Sequence, residues 1–311
     1  MARSSEQSEK ICRIGTRGSD LALWQAHTIQ GKLEELGVQT HIEIIKTRGD
    51  KIDYIPFSEL EGKNFFTKEL EDAQLDGRVD MAVHSLKDLA TEMVPGLTLT
   101  AMVGREDPRD VLLAHPAAID QAKLDAGEVL PLKEGAKIGT SAARRQAQIR
   151  FLRDDLEIVD LRGNVPTRVN RLREGPYDGI LLARAGLVRL ELDLEGLFVK
   201  PLDADEFVPA PAQGMLGIQC RENDAWQDTL TRLDCPDAGR AVAAERELLQ
   251  KLEGGCQLPF GINIQPNDGE WKLEMFLAGS RPEPLRVTLE GENLDTLTRE
   301  CWEMISEYRG D

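Results

Sequence analysis

A rhythm constrains this chain more than any single motif. Short apolar runs alternate with helix-period stretches, and the alternation starts, lapses and starts again, which reads as two α/β lobes. Residues 11–15 read as a strand, and Ser19 caps a helix to about Leu36, where Gly37 stops it. Strands are expected over 38–46, 79–83 and 98–103, with a helix over 67–75 between the first two. The rhythm restarts with a strand ending over 137–139, after which Thr140 or Ser141 caps a helix to about Arg153. A strand follows over 157–161, then a helix with Pro166 in its first turn, where proline is tolerated. A buried strand over 179–183 and a short helix from Ala185 close the second lobe. After Pro209-Ala210-Pro211-Ala212 the pattern changes. A strand over 215–220 is followed by an amphipathic helix over 238–252, with Val242, Leu248, Leu249 and Leu252 on one side. Short strands over 262–265, 271–277 and 285–289 and a last helix over 294–307 read as a small α+β domain.

Composition narrows the function. Residues 1–10 are polar, and neither a membrane span nor a secretory signal is expected. Five scattered cysteines without a paired CxxC, and four histidines far apart, argue against a disulfide framework and against a metal site. A cytoplasmic, reducing compartment is expected. The formal net charge of −17 makes nucleic acid and membranes poor partners. Residues 137–190 run against that balance, with one Lys and ten Arg against six acids. The stretch reads either as a focused anion site or as ordinary helix-surface arginines.

Spacing sharpens the choice. Arg144-Arg145 stands just inside a helix start, Arg162 at the next strand end with Arg168 beyond it, and Arg189 after the strand over 179–183. The other lobe offers Arg17 and Ser19 after its first strand and Lys87 after a later one. Ligands of open α/β sheets sit at the carboxyl ends of strands, and arginine binds carboxylates through two parallel hydrogen bonds. Two lobes lined this way are expected to hold a ligand with several carboxylates. Asp88, beside Lys87, reads either as an acid that pairs with a developing cation or moves a proton, or as a helix cap. His84 reads as a packed, hydrogen-bonding residue. Cys256 lies in Glu253-Gly254-Gly255-Cys256-Gln257, where it is either a presented nucleophile or a small buried residue after a helix.

With these residues assembled, the chain resembles the porphobilinogen deaminase family, also called hydroxymethylbilane synthases. The matching stretches are Gly15-Thr16-Arg17-Gly18-Ser19 with Leu21-Ala22-Leu23-Trp24-Gln25, residues 63–70, Val83-His84-Ser85-Leu86-Lys87-Asp88 and Arg105-Glu106-Asp107-Pro108-Arg109-Asp110. They continue through Gly139-Thr140-Ser141 with Arg144-Arg145-Gln146, Leu161-Arg162-Gly163-Asn164-Val165, Ala185-Gly186-Leu187 with Arg189, Gln213-Gly214 with Cys220-Arg221, and the cysteine segment.

The resemblance implies a transferase that links four porphobilinogen molecules head to tail, releasing ammonia each time, to make hydroxymethylbilane for heme, siroheme or chlorophyll. It implies a dipyrromethane cofactor joined by a thioether to Cys256. It implies that Asp88 is catalytic, contacting pyrrole N–H groups and stabilising positive charge. Cofactor contacts are implied for Lys87, Ser19, Ser85, Thr140, Arg144, Arg145 and Arg168. Substrate contacts are implied for Arg17, Gln25, Lys63, Arg162, Arg189 and Gln213. The expected fold is two periplasmic-binding-protein-like lobes, 1–105 plus 208–224 and 106–207, with an α+β domain over 225–311. A monomer is expected, handing its product to uroporphyrinogen-III synthase. The departures are Ala142-Ala143 after Ser141, Asp20 after Ser19, Ala90 shortly after the acid, and Ala212 where glycine is common. The competing class is a two-lobed, non-enzymatic binding protein for a polycarboxylate.

Overall fold

The computed structural model describes residues 11–47, 67–252 and 258–310, so Lys63 and Cys256 lie outside the described residues. The elements begin with β1 (Cys12–Thr16), α1 (Asp20–Glu35), β2 (Thr40–Ile44), α2 (Lys68–Leu75), β3 (Met81–Ser85) and β4 (Leu97–Val103). Next come β5 (Asp110–Ala114), α3 (Gln121–Asp125), β6 (Lys137–Gly139), α4 (Ala143–Leu152), β7 (Glu157–Val159), α5 (Val165–Glu174), β8 (Gly179–Ala183), α6 (Arg184–Leu190) and β9 (Phe198–Leu202). The last stretch holds β10 (Leu216–Arg221), α7 (Gln227–Thr231), α8 (Pro236–Lys251), β11 (Phe260–Asn267), β12 (Glu270–Leu277), β13 (Leu285–Gly291) and α9 (Leu294–Arg309).

Two compact units result, Met1–Gly104 with Met215–Gly239, and Arg105–Gly214 with Arg240–Asp311. The first unit is built on a sheet of order β2-β1-β3-β10-β4. Its strands β2, β1 and β3 run parallel, and β10 runs antiparallel between β3 and β4. Ser19 caps α1 as expected, accepting from Ala22 N. The helix then buries Ala26, Ile29 and Leu33 against Ile14, Met81, Val83 and Ile218 of the sheet. Ile29 and Leu33 are fully buried, a stabilisation of roughly 1.5–3 kcal/mol for each side chain.

The second unit repeats the plan in the order β7-β6-β8-β5-β9. Its strands β7, β6 and β8 run parallel, and β5 runs antiparallel between β8 and β9. The same unit carries the antiparallel sheet β11-β12-β13. Ala241, Leu248 and Leu252 meet Leu297, Cys301 and Ile305 of α9 in one core with this sheet. Residues 208–214 cluster with the second lobe and residues 225–239 with the first. The architecture is α/β, two lobes of like sheet plan with a small C-terminal α+β part.

Three local expectations change. The residue at the start of α4 is Ala142, with no side-chain cap, rather than Thr140 or Ser141. Ser141 Oγ instead donates to Leu161 O at 2.7 Å and accepts from Leu161 N at 3.1 Å, tying the end of β6 to the loop after β7. Strands β5 and β9 are additions to the expected set. The second of them contains Pro201, which cannot donate to a ladder, and it lies at the sheet edge accordingly.

Candidate active site

In the first unit the candidates gather at the carboxyl ends of neighbouring parallel strands β1 and β3. Arg17 follows β1, and Ser19 spends its hydroxyl on the α1 cap at 3.4 Å. Gln25, buried in the second turn of α1, donates from Nε2 to Ser85 Oγ at 2.7 Å. That bond brings two candidates together at the end of β3. A 3-10 turn, Leu86–Asp88, follows immediately. Buried Leu86 anchors the turn, and its N–H donates to Met215 O at 2.9 Å. Lys87 is left half-buried and Asp88 exposed. Asp88 ends the turn and is the N-cap of no helix among the described residues. His84 is buried, with Nε2 3.1 Å from Gln219 Oε1. Burial pushes the imidazole down to about 4, with the Arg17 charge acting in the same direction, so the ring is neutral near pH 7. It is a packed, hydrogen-bonding residue.

In the second unit the candidates lie at the carboxyl ends of β6, β7 and β8. Thr140 is buried, and its N–H donates to Val159 O at 2.9 Å. Half-buried Arg162 donates through Nε to Asp160 Oδ2 at 3.1 Å, and Arg168 through Nε to Gly163 O at 2.7 Å. Arg189 is buried, with Nη2 2.5 Å from Gly214 O. Burial lowers its pKa, against the pull of Glu106.

Arg144 and Arg145 are buried rather than spread on a helix surface. Arg144 Nη1 donates to Val208 O at 2.6 Å, and Arg145 Nη1 to Leu181 O at 2.9 Å. Each also meets Asp110, whose exposure is 0 %. Burial alone would raise the Asp110 pKa, but the two guanidiniums and the Gln213 amide hold it well below the usual carboxylate range. Gln213 Nε2 donates to Asp110 Oδ1 at 2.9 Å and to Pro108 O at 2.6 Å. Asp110 therefore gathers three candidates, yet no role was assigned to it from the sequence. The available signal was an acid heading the all-apolar run Val111-Leu112-Leu113-Ala114, because a buried charge requires a partner.

The strand after the Cys256 segment reaches the same place. Ile262 N donates to Pro209 O at 3.0 Å. A Cβ built on Gly261 would lie 2.8 Å from Val208 O and 3.1 Å from Arg144 Cδ, so only glycine allows β11 to pass so close. These residues fit a carboxylated pyrrole cofactor. Guanidinium donors stand beside the root of the cysteine segment, and Arg145 Nε is buried with no hydrogen-bond partner among the described residues. No group of three or more His, Cys, Asp or Glu among the described residues is arranged to hold a metal ion.

Fold and site together define a class: a two-lobed α/β protein with cationic sets at its strand ends, suited to a polycarboxylate. The family model for "Porphobilinogen deaminase, dipyromethane cofactor binding domain" matches residues 12–229. The chain is 42% identical over 292 residues to the porphobilinogen deaminase of Trichlorobacter lovleyi, covering 93% of this chain and 90% of that one. It is 44% identical over 269 residues to that of Geobacter sulfurreducens, covering 86% and 81%. Among solved structures, it is similar to a periplasmic substrate-binding protein of an ABC transporter from Coxiella burnetii, at TM-score 0.42 and 16% identity over 76% of this chain and 97% of that one. The chain belongs to the porphobilinogen deaminase family, and it is a transferase of tetrapyrrole biosynthesis with a dipyrromethane cofactor-binding domain.

Proposed function

We propose that this chain carries out the hydroxymethylbilane synthase reaction with Asp88 as its catalytic acid group. Four porphobilinogen molecules are joined head to tail, and one water molecule releases the linear tetrapyrrole and supplies its hydroxyl. The observation that carries the assignment is the exposed Asp88 carboxylate beyond the end of β3, beside Lys87, in a set otherwise made of cations, hydroxyls and an amide. Each addition forms one carbon–carbon bond and breaks the aminomethyl carbon–nitrogen bond. The proton lost from the attacked pyrrole carbon balances the ammonia released. As nitrogen departs, positive charge develops on the incoming pyrrole. Asp88 accepts hydrogen bonds from pyrrole N–H groups and stabilises that charge from a fixed position. Arg17, Gln25, Lys63, Arg162, Arg189 and Gln213 serve the substrate acetate and propionate, the guanidiniums through paired hydrogen bonds. Dipyrromethane, bound by a thioether to Cys256, supplies the pyrrole carbon on which the chain starts. Lys87, Ser19, Ser85, Thr140, Arg144, Arg145 and Arg168 would hold its carboxylates.

The reading extends to a cytoplasmic monomer that passes its product to uroporphyrinogen-III synthase. No helix among the described residues is long and apolar enough to cross a membrane.

Intact mass of the denatured protein tests the covalent part. An excess equal to two linked pyrroles, absent in Cys256→Ser, is the expected result, and an adduct persisting in that variant moves the attachment elsewhere. Asp88→Asn is expected to fold and to lose turnover by a factor of about 10²–10³, the scale of removing one electrostatic stabiliser. Unimpaired turnover would remove Asp88 from its role. A polycarboxylate-binding protein would carry no pyrrole and give no colour with an acidic pyrrole reagent.

A further inference from the structure

We infer that Asp110 is a positioning residue for the cofactor end of the site, setting where Arg144 and Arg145 present their guanidiniums. The inference rests on the deaminase reading and adds a residue to it.

Topology delivers Asp110 to the site. Because β5 runs antiparallel to β8, its first residue lies at the carboxyl end of the parallel strands, in register with Ala183. Ligands of such sheets bind at that end. The carboxylate is shared between the arginines rather than given to one. Its Oδ1 meets Arg145 Nη2 at 2.8 Å and Gln213 Nε2 at 2.9 Å, while Oδ2 meets Arg144 Nη2 at 2.8 Å. Two guanidiniums and one carboxylate leave this buried group one positive charge in excess. A single carboxylate from a ligand would neutralise it. Removing an arginine pair from water is costly, and the group tolerates it because backbone carbonyls and Asp110 hold both heads. Arg144 also clasps Val208 O, directly against Gly261, at the start of the strand that follows Cys256. Asp110 therefore fixes the distance between the arginine pair and the root of the cysteine segment.

Simple charge balance would be met by any acid at this position, whereas positioning demands this carboxylate at this reach. The two roles separate in Asp110→Glu, which keeps the charge and moves both oxygens outward by about one carbon–carbon bond, ~1.5 Å. Displacements of this order cost up to about 10²-fold in rate. The experiment uses full-length protein made in a host lacking porphobilinogen, then given porphobilinogen. The rate of gain of the two-pyrrole mass is followed, with KM and thermal midpoint measured in parallel. Arg153→Gln serves as the stability control. Arg153 lies just past the other end of α4 and holds Asp155, Leu130 O and Leu132 O.

Expected are a fall in loading rate of about tenfold or more and a raised KM for Asp110→Glu. Arg153→Gln should lower the thermal midpoint and load at the wild-type rate. Asp110→Asn, which removes the shared anchor, should load more slowly still. If one Asp110 variant gives no folded protein, the other decides on the same readout. Wild-type loading and KM in Asp110→Glu would overturn the inference, as would an equal slowing in Arg153→Gln. If wild-type protein gains no adduct, the deaminase reading falls first and this inference with it.

Discussion

His84 makes the stability of the first unit depend on pH in a way that can be worked out beforehand. The ring is buried, and its folded-state pKa is pushed down to about 4 by that burial, against an ordinary value of 6.5. The unfolded chain therefore takes up the proton first as pH falls. Stability from this group is fully present above about pH 7, is lost progressively between about pH 6.5 and 4, and changes no further below that. Between pH 7.5 and 5.0 the loss is about 2 kcal/mol. The figure depends little on the folded value, because pH 5.0 lies above it. His84→Gln retains a donor for Gln219 Oε1 and cannot titrate. Urea unfolding at the two pH values, wild type against variant, cancels the other titrating groups. With Trp271 and Trp302 replaced by phenylalanine, emission from Trp24 and Trp226 reports the first unit alone. The wild type should lose about 2 kcal/mol more than the variant on going to pH 5.0. A difference under about 0.5 kcal/mol would refute a neutral, desolvated ring.

Two further predictions concern the segment that closes the second unit. Gly214 has φ +88°, and a Cβ there would lie 2.2 Å from Glu106 O. Gly214→Ala adds a left-handed backbone penalty of about 1–2 kcal/mol and must break the Glu106 N–Gly214 O and Arg189–Gly214 O hydrogen bonds, for a total of roughly 3–5 kcal/mol. An unfolding free energy within about 1 kcal/mol of wild type would contradict that packing. Ala212 adopts φ +60°. Ala212→Gly relieves a left-handed penalty of about 1–2 kcal/mol but loses a buried methyl and gains chain entropy, so stability should change by less than about 1 kcal/mol, and a loss above about 2 kcal/mol in urea unfolding would contradict strain at Ala212.

Much of the fold was legible because the elements agree with local chemistry. The strand over 179–183 matches β8 to the residue, and Ser19 caps α1 as its sequence context indicates. What was not legible depends on distant chain. Strand β5 enters its sheet between β8 and β9, and β10 returns to the first sheet only after the chain has built the second. A window of a dozen residues contains no sign of either partnership. Ala142 begins α4 without a cap because Ser141 is claimed by Leu161, twenty residues away. The site divides along the same line. Residue types at strand ends pointed to a carboxylate ligand, but the sharing of Asp110 between Arg144, Arg145 and Gln213 exists only after β5 has paired.

That sharing bears on how a chain of net charge −17 handles an anionic substrate. The general surface charge opposes approach, but in physiological salt its field fades over about 8 Å. Contact energies act inside that distance, and there the local balance is reversed. Arg144 and Arg145 are fastened to backbone carbonyls and to one carboxylate, so their orientation is fixed before ligand arrives. Preorganised donors lose little freedom on binding, and in a buried setting each interaction is stronger than at the surface. An arginine free on a helix surface would offer the same charge with neither advantage. The acidic composition and the arginine-rich stretch over 137–190 are thus compatible. In the proposed site, affinity for carboxylates comes from the few guanidiniums held rigidly at the strand ends, and the acid that holds two of them would strengthen the site that its charge would seem to weaken.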